Sequence, residues 1–426
     1  MPFKLKKLWK SLGPGLITGA SDDDPSGIIT YAAAGARLGF TAIWTMLYTL
    51  PLMIVIQEMS ARIGISSSCG LTGNIKKYYS KTLLFFISTL IVVSNTFNIG
   101  ADVYGMASAI ELLTPGSTHL LSWLIVILIL MLMVILPYKK IATIFKWLAL
   151  ALFAYVIAGL MLIDNWPLIL KHLLIPTLPF NKEGILIIVA ILGTTISPYI
   201  AFWQASEEAE ERKIDNNTDG KPIVCEYRIV TKNELRKTVS DTRIGMFFSN
   251  FIGFFIIALT ASALFNAGIN NVENVKDIAE ALRPLAGDYA YLLFTIGVIS
   301  AGLLAIPILA GSSAYVMSEI FGWSSGLDQP FSKAKEFYAV IIISTILGMI
   351  IPYFGISAVK ALIWTAIIHG IVAPFLIAIL LHMANNPAIV GPNVNKKVTN
   401  FIGYLTLVIM SLAVIVLFIT NTPLFS

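Results

Sequence analysis

Ser21-Asp22-Asp23-Asp24-Pro25-Ser26-Gly27 lies between Gly15-Leu16-Ile17-Thr18-Gly19 and Ile28-Ile29-Thr30-Tyr31, two stretches that read as ordinary membrane helix. An aspartate at the centre of a span costs about 2.5 to 3.5 kcal/mol on insertion scales, so intramembrane acids are functional candidates. Three stand here in a row. Proline removes a backbone donor and glycine tolerates any backbone conformation, so the heptad is expected to unwind the helix near the bilayer midplane. Freed carbonyls and a carboxylate would then face one cavity. Asp24, next to the break, is the expected cation ligand, while Asp22 and Asp23 are expected to line an approach to it.

Gly193-Thr194-Thr195-Ile196-Ser197-Pro198-Tyr199 repeats the pattern, with serine before proline where the first stretch has aspartate. Pro198 alone reads equally well as a simple kink, because proline is common in membrane helices. Three carboxylates at membrane depth are not explained that way. Interrupted helices at positions one and six are what a five-plus-five inverted repeat predicts, with substrate held between the two breaks.

The composition agrees with a membrane domain. Of 426 residues, 57% are hydrophobic and 12% charged, so water is not the main solvent of the chain. Hydropathy predicts about 11 spans: 13–37, 41–62, 83–113, 120–136, 141–163, 184–206, 244–265, 289–320, 337–353, 356–383 and 401–420. The fold class is therefore all-α and integral to the membrane, one transporter domain over 1–426. Its first repeat is 13–163, its inverted second repeat 184–383, its insert 207–243 and its additional helix 401–420.

With the N-terminus in the cytoplasm, Lys4, Lys6, Lys7, Lys10, Lys76, Lys77, Lys81, Lys139, Lys140, Lys396 and Lys397 all fall inside, as the positive-inside rule requires. Ser426 then falls outside, and the polar insert Glu207 to Arg243 falls in the cytoplasm as a solvated segment. The net charge of +5 reflects these loops and implies no nucleic-acid partner. Cys69 and Cys225 both sit in segments assigned to the cytoplasm, where disulfides are rare, so they are expected to give no covalent framework. Glu58 is placed to pair with Arg62 at i, i+4. His369 reads as a hydrogen-bonded interior residue.

Gly13-Pro14-Gly15, Asp24-Pro25-Ser26-Gly27 and Gly35 resemble the first span of the Nramp metal transporters, whose motif reads Asp-Pro-Gly-Asn. Ala61-Arg62-Ile63-Gly64 with Leu71-Thr72-Gly73, and Asp241-Thr242-Arg243, resemble the end of that family's second span and the approach to its seventh. The resemblance extends over most of the chain except 207–237, and it implies an architecture of the LeuT type. It also implies a metal held by the Asp and Asn of the first motif and by a carbonyl and a Met sulfur from the sixth span. By position these become Asp24, Gly27, Thr194 and Ser197.

Only the aspartate is retained. Without the thioether the set is oxygen only, which suits Mg²⁺ or Mn²⁺ better than softer ions. Family members pass protons through an acidic pair in the third span and a histidine in the sixth. Here Asp102 is kept, Gly105 replaces the second acid and Gln204 stands at the histidine position. Glutamine carries no titratable proton, so weak or absent proton coupling is expected, with Asp22, Asp23, Asp102 and Gln204 lining the proton or access pathway.

The leading reading is a secondary transporter moving a divalent metal cation by alternating access in a plasma membrane, with the lipid bilayer as its solvent. The transported ion is its ligand and no cofactor is implied. A sodium- or proton-coupled carrier of a small organic solute on the same architecture is the alternative, with Asp24 binding the coupling ion or an amine. Enzymatic function is not expected, because no HExxH pair, GxSxG elbow or Cys/His cluster occurs.

Overall fold

The computed structural model describes residues 14–114, 116–136, 138–163, 165–177, 181–215, 225–270, 272, 274–279, 287 and 290–421. Lys4, Lys6, Lys7, Lys10, Gly13, Tyr289, Ser426 and the middle of the insert lie outside them. Among the described residues the regular structure is all helical, with no strand. In chain order the main helices are α1 (Pro14–Asp22), α2 (Pro25–Leu38), α3 (Trp44–Ser67), α4 (Leu71–Tyr78), α5 (Lys81–Glu111), α6 (Thr118–Ile135), α7 (Tyr138–Ala151) and α8 (Phe153–Leu162). They continue with α9 (Trp166–Leu174), α10 (Lys182–Thr195), α11 (Pro198–Asp215), α12 (Lys232–Thr260), α13 (Ala290–Phe321), α14 (Lys335–Gly348), α15 (Ala358–Ala384) and α16 (Lys397–Asn421).

Each of the 11 predicted spans falls on one of these helices or on a consecutive pair. Among the described residues eight helical stretches, one of them running through α10 and α11, are long and apolar enough to cross a bilayer, or up to ten when two bent helix pairs are each counted as one span. The first, second and fifth expected spans are missing from the eight, for reasons visible in their residues. The first is cut at its acids and the fifth is divided between α7 and α8. The second, α3, is long enough but carries Gln57, Glu58, Ser60 and Arg62. Outward faces of α6 and α16 are apolar and exposed, as at Leu120, Ile135, Val398 and Phe401, which suits contact with lipid tails.

Both expected breaks are present. α1 stops at Asp22 and α2 starts at Pro25, with Asp24 as its N-cap; α10 stops at Thr195 and α11 starts at Pro198. In each case proline occupies the first helical position, where its missing N–H costs nothing. Glycines let the broken helices approach their neighbours closely. A Cβ on Gly19 would stand 2.1 Å from the Gly245 carbonyl oxygen of α12, and one on Gly193 would stand 2.0 Å from the Ala366 carbonyl oxygen of α15.

Three expectations are corrected. Cys69 and Cys225 form a disulfide, with Cα atoms 5.2 Å apart. A part of the insert just before α12 runs back along the end of α3, where Glu226 N–H donates to the Ser67 carbonyl (3.2 Å) and Arg228 N–H to the Ser66 carbonyl (2.9 Å), and this brings the two sulfurs together. Within 207–243, α11 runs on to Asp215 and α12 begins at Lys232.

Glu207 and Glu208 are therefore buried rather than solvated. Glu208 accepts from Gln204 Nε2 (2.8 Å) and Thr238 Oγ1 (3.1 Å), and Glu207 accepts from the Tyr315 hydroxyl (3.3 Å). Glu58 pairs with Arg243 (2.9 Å) rather than with Arg62. Arg62 instead donates to Asn395 Oδ1, because the fold lays α12 along the acid and the loop before α16 along the base.

Candidate metal centre

Asp24 is the hub of the first break. Its Oδ1 accepts from Gly27 N–H (2.6 Å) and from the Ser26 hydroxyl (2.7 Å), and its Oδ2 accepts from Asn98 Nδ2 of α5 (2.7 Å). Three donors on one buried carboxylate fix its orientation. The Ser26 N–H turns instead to Asp102 Oδ1 (3.2 Å). The break is thus braced by α5 through two side chains one helical turn apart.

The second break meets the first across Gly27. A Cβ built on Gly27 would stand 3.0 Å from Thr194 Oγ1 and 3.4 Å from both the Asp22 carbonyl oxygen and Asp24 Oδ1. A carboxylate, a carbonyl freed at the end of α1 and a hydroxyl of α10 therefore surround a position where any other residue would place carbon. Two tyrosines also tie the breaks together: Tyr199 donates its hydroxyl to the Ser21 carbonyl (2.9 Å), and the Tyr31 and Thr195 hydroxyls are 3.1 Å apart. His369 is buried beside Tyr199, their ring centroids 5.5 Å apart.

The remaining expected residues take distinct places. Ser197 donates its hydroxyl to the Thr194 carbonyl (2.5 Å) and the Gly193 carbonyl (3.2 Å), capping the end of α10. Asp22 and Asp23 turn towards α12, where the Ser249 hydroxyl lies 2.8 Å from Asp22 Oδ2 and 3.2 Å from Asp23 Oδ1. Gln204 lies on α11 beyond the break and is engaged with Glu208. Asn98 and Ser249 were missed in the sequence, where a single amide or hydroxyl in an apolar helix gives no pattern to read.

Among the described residues no three His, Cys, Asp or Glu side chains converge to hold a metal. One carboxylate among neutral oxygens is a weak set for a resident ion. For a passing ion weakness is a requirement, since the ion must also leave. The oxygens themselves suit a hard cation.

The family model for natural resistance-associated macrophage protein-like (Nramp) sequences matches residues 15–420. The chain belongs to the Nramp family. This Nramp chain is 26% identical to the divalent metal cation transporter MntH of Clostridium acetobutylicum, covering 98% of the chain and 93% of that protein. It is 25% identical to the protein of the same name from Chromohalobacter salexigens, covering 96% and 91%. Among solved structures it resembles the Eremococcus coleocola manganese transporter in complex with an aromatic bis-isothiourea substituted compound, at TM-score 0.73 and 19% identity, covering 97% of this chain and 87% of that one. MhsT in complex with L-phenylalanine shares the architecture at TM-score 0.60 and 13% identity, covering 96% and 98%. The fold is thus the five-plus-five arrangement with broken first and sixth spans.

Proposed function

We propose that this Nramp chain is a secondary transporter of a divalent metal cation, with Mg²⁺ or Mn²⁺ preferred, working by alternating access around the two breaks. The observation that carries the reading is the meeting of Asp24 Oδ1, the Asp22 carbonyl and Thr194 Oγ1 around the bare Cα of Gly27. A dehydrating cation finds there one negative charge and several neutral oxygens, which lipid cannot offer. The names of its relatives, divalent metal cation transporters and a manganese transporter, support the substrate class. The absence of sulfur from this oxygen set supports a hard ion.

Weak or absent proton coupling is part of the proposal, because Gln204 is committed to Glu208 and carries no titratable proton. The chain would sit in a plasma membrane with its N-terminus inside. Purified protein in liposomes tests the core of the reading, by uptake of Mg²⁺ and Mn²⁺ for wild type and Asp24→Ala. Uptake should vanish in the variant; equal uptake would end the reading. A pH gradient imposed without metal tests whether protons move alone.

A further inference from the structure

Asn98 is buried in α5, and the two ends of its amide differ in what they meet. Nδ2 donates to Asp24 Oδ2 at 2.7 Å, while Oδ1 is buried with no hydrogen-bond partner. A flipped amide would set oxygen against carboxylate oxygen, so the chemistry of the pair fixes which end faces Asp24. A buried acceptor left without a donor costs about 1 to 3 kcal/mol. Asp102, one turn further along the same face of α5, repeats the pattern: Oδ1 accepts from Ser26 N–H and Oδ2 has no partner.

We infer that Asn98 is a ligand of the transported cation, contributing its amide oxygen from the third span to the half-shell that Asp24, the Asp22 carbonyl and Thr194 form from the first and sixth. The inference rests on the proposal that a cation binds between the two breaks. One side chain then has two duties. Its N–H₂ orients the carboxylate, and its C=O supplies a neutral hard oxygen of the kind that Mg²⁺ and Mn²⁺ accept. Because Gly27 brings no side chain to the site, the amide from α5 is the neutral side-chain donor next to Asp24 on the α5 side.

The test is titration of the purified full-length protein with Mg²⁺ alone and with Mn²⁺ alone, comparing wild type, Asn98→Ala, Asn98→Asp and Asp24→Ala. Removing the amide should weaken both ions by about 10- to 100-fold, the loss typical of a group that supports a metal ligand or exceeding it. Asn98→Asp keeps an oxygen in the same place but exchanges the N–H₂ donor for a second carboxylate oxygen and adds a negative charge, so with a cation bound there it should bind at least as tightly as wild type. If Asn98→Asp is as weak as Asn98→Ala, Asn98 only orients Asp24 and the inference fails. It fails equally if Asn98→Ala binds like wild type.

Asp24→Ala separates the two levels of the argument: binding unaffected by it sinks the cation site itself. Binding lost in Asp24→Ala but intact in Asn98→Ala sinks only the role of Asn98. Size-exclusion elution and thermal unfolding report whether each variant is folded, and Asn98→Ser replaces Asn98→Ala in the comparison if the alanine variant is not.

Discussion

Gly27 and Thr194 face each other across the two helix breaks, so closely that a Cβ on the glycine would stand 3.0 Å from the threonine hydroxyl. The same added carbon would meet the Asp22 carbonyl and Asp24 Oδ1 at 3.4 Å. It would therefore occupy the space on which the oxygens converge. Glycine here is explained by what must be kept open rather than by backbone strain, since Gly27 is not among the residues with positive φ.

Gly27→Ala is expected to separate binding from folding. Alanine has a higher helix propensity than glycine, and the added carbon would need its neighbours, the nearest of them the Thr194 side chain at 3.0 Å, to give by only a few tenths of an ångström. Thermal stability should stay near wild type. Cation affinity should fall by about tenfold, or ~1.4 kcal/mol, in a Mn²⁺ or Mg²⁺ titration. An unchanged affinity would mean that the ion does not use this space.

Ser197→Met tests the argument from ligand softness. The serine hydroxyl now caps α10 by donating to the carbonyls of Gly193 and Thr194. Methionine would remove that cap and bring a thioether to the second break. Competition in liposome uptake should then shift from Mg²⁺ towards Cd²⁺ and Mn²⁺. No shift would count against a ligand position at the second break.

Both breaks were legible in the sequence because each is a local event. Three acids before a proline, with glycine nearby, mark the first break by themselves, whereas serine before Pro198 reads equally well as a kink and gains its meaning from standing in the matching sixth span; apolar length located the other spans. The partners of the acids were not legible, since they depend on which face of α5 or α12 turns towards α1. Asn98 sits in Asn95-Thr96-Phe97-Asn98 with nothing to distinguish it from Asn95, which donates instead to the Leu309 carbonyl and Ser313. The disulfide was hidden for a related reason. Its cysteines are 156 residues apart, and only the return of the chain along α3 brings them together.

That disulfide makes a direct prediction about thiols. The two cysteines of the chain are joined, so denatured, unreduced protein should take up no maleimide, and reduction should release two reactive sites. The same bond closes a long loop between α3 and the start of α12. Cys225→Ser should therefore lower stability by about 2 to 4 kcal/mol, read as a lower thermal unfolding midpoint in detergent. Full labelling before reduction would show that the pair is open.

Ser249 offers the last test, because one hydroxyl serves two buried acids. It has a single proton to donate, yet it lies within hydrogen-bond distance of both Asp22 and Asp23. The close approach of Gly19 to Gly245, one turn back along each helix, brings it there. Ser249→Ala would leave both carboxyl groups without that donor, at a cost of about 1 to 3 kcal/mol. If the cost comes from the acids, it should shrink when Asp22→Asn and Asp23→Asn are already present, since the amides bring donors of their own. A double-mutant cycle on thermal unfolding measures this coupling. An equal loss in both backgrounds would assign the role of Ser249 to packing between α1 and α12 and leave the acids with no demonstrated partner on that helix.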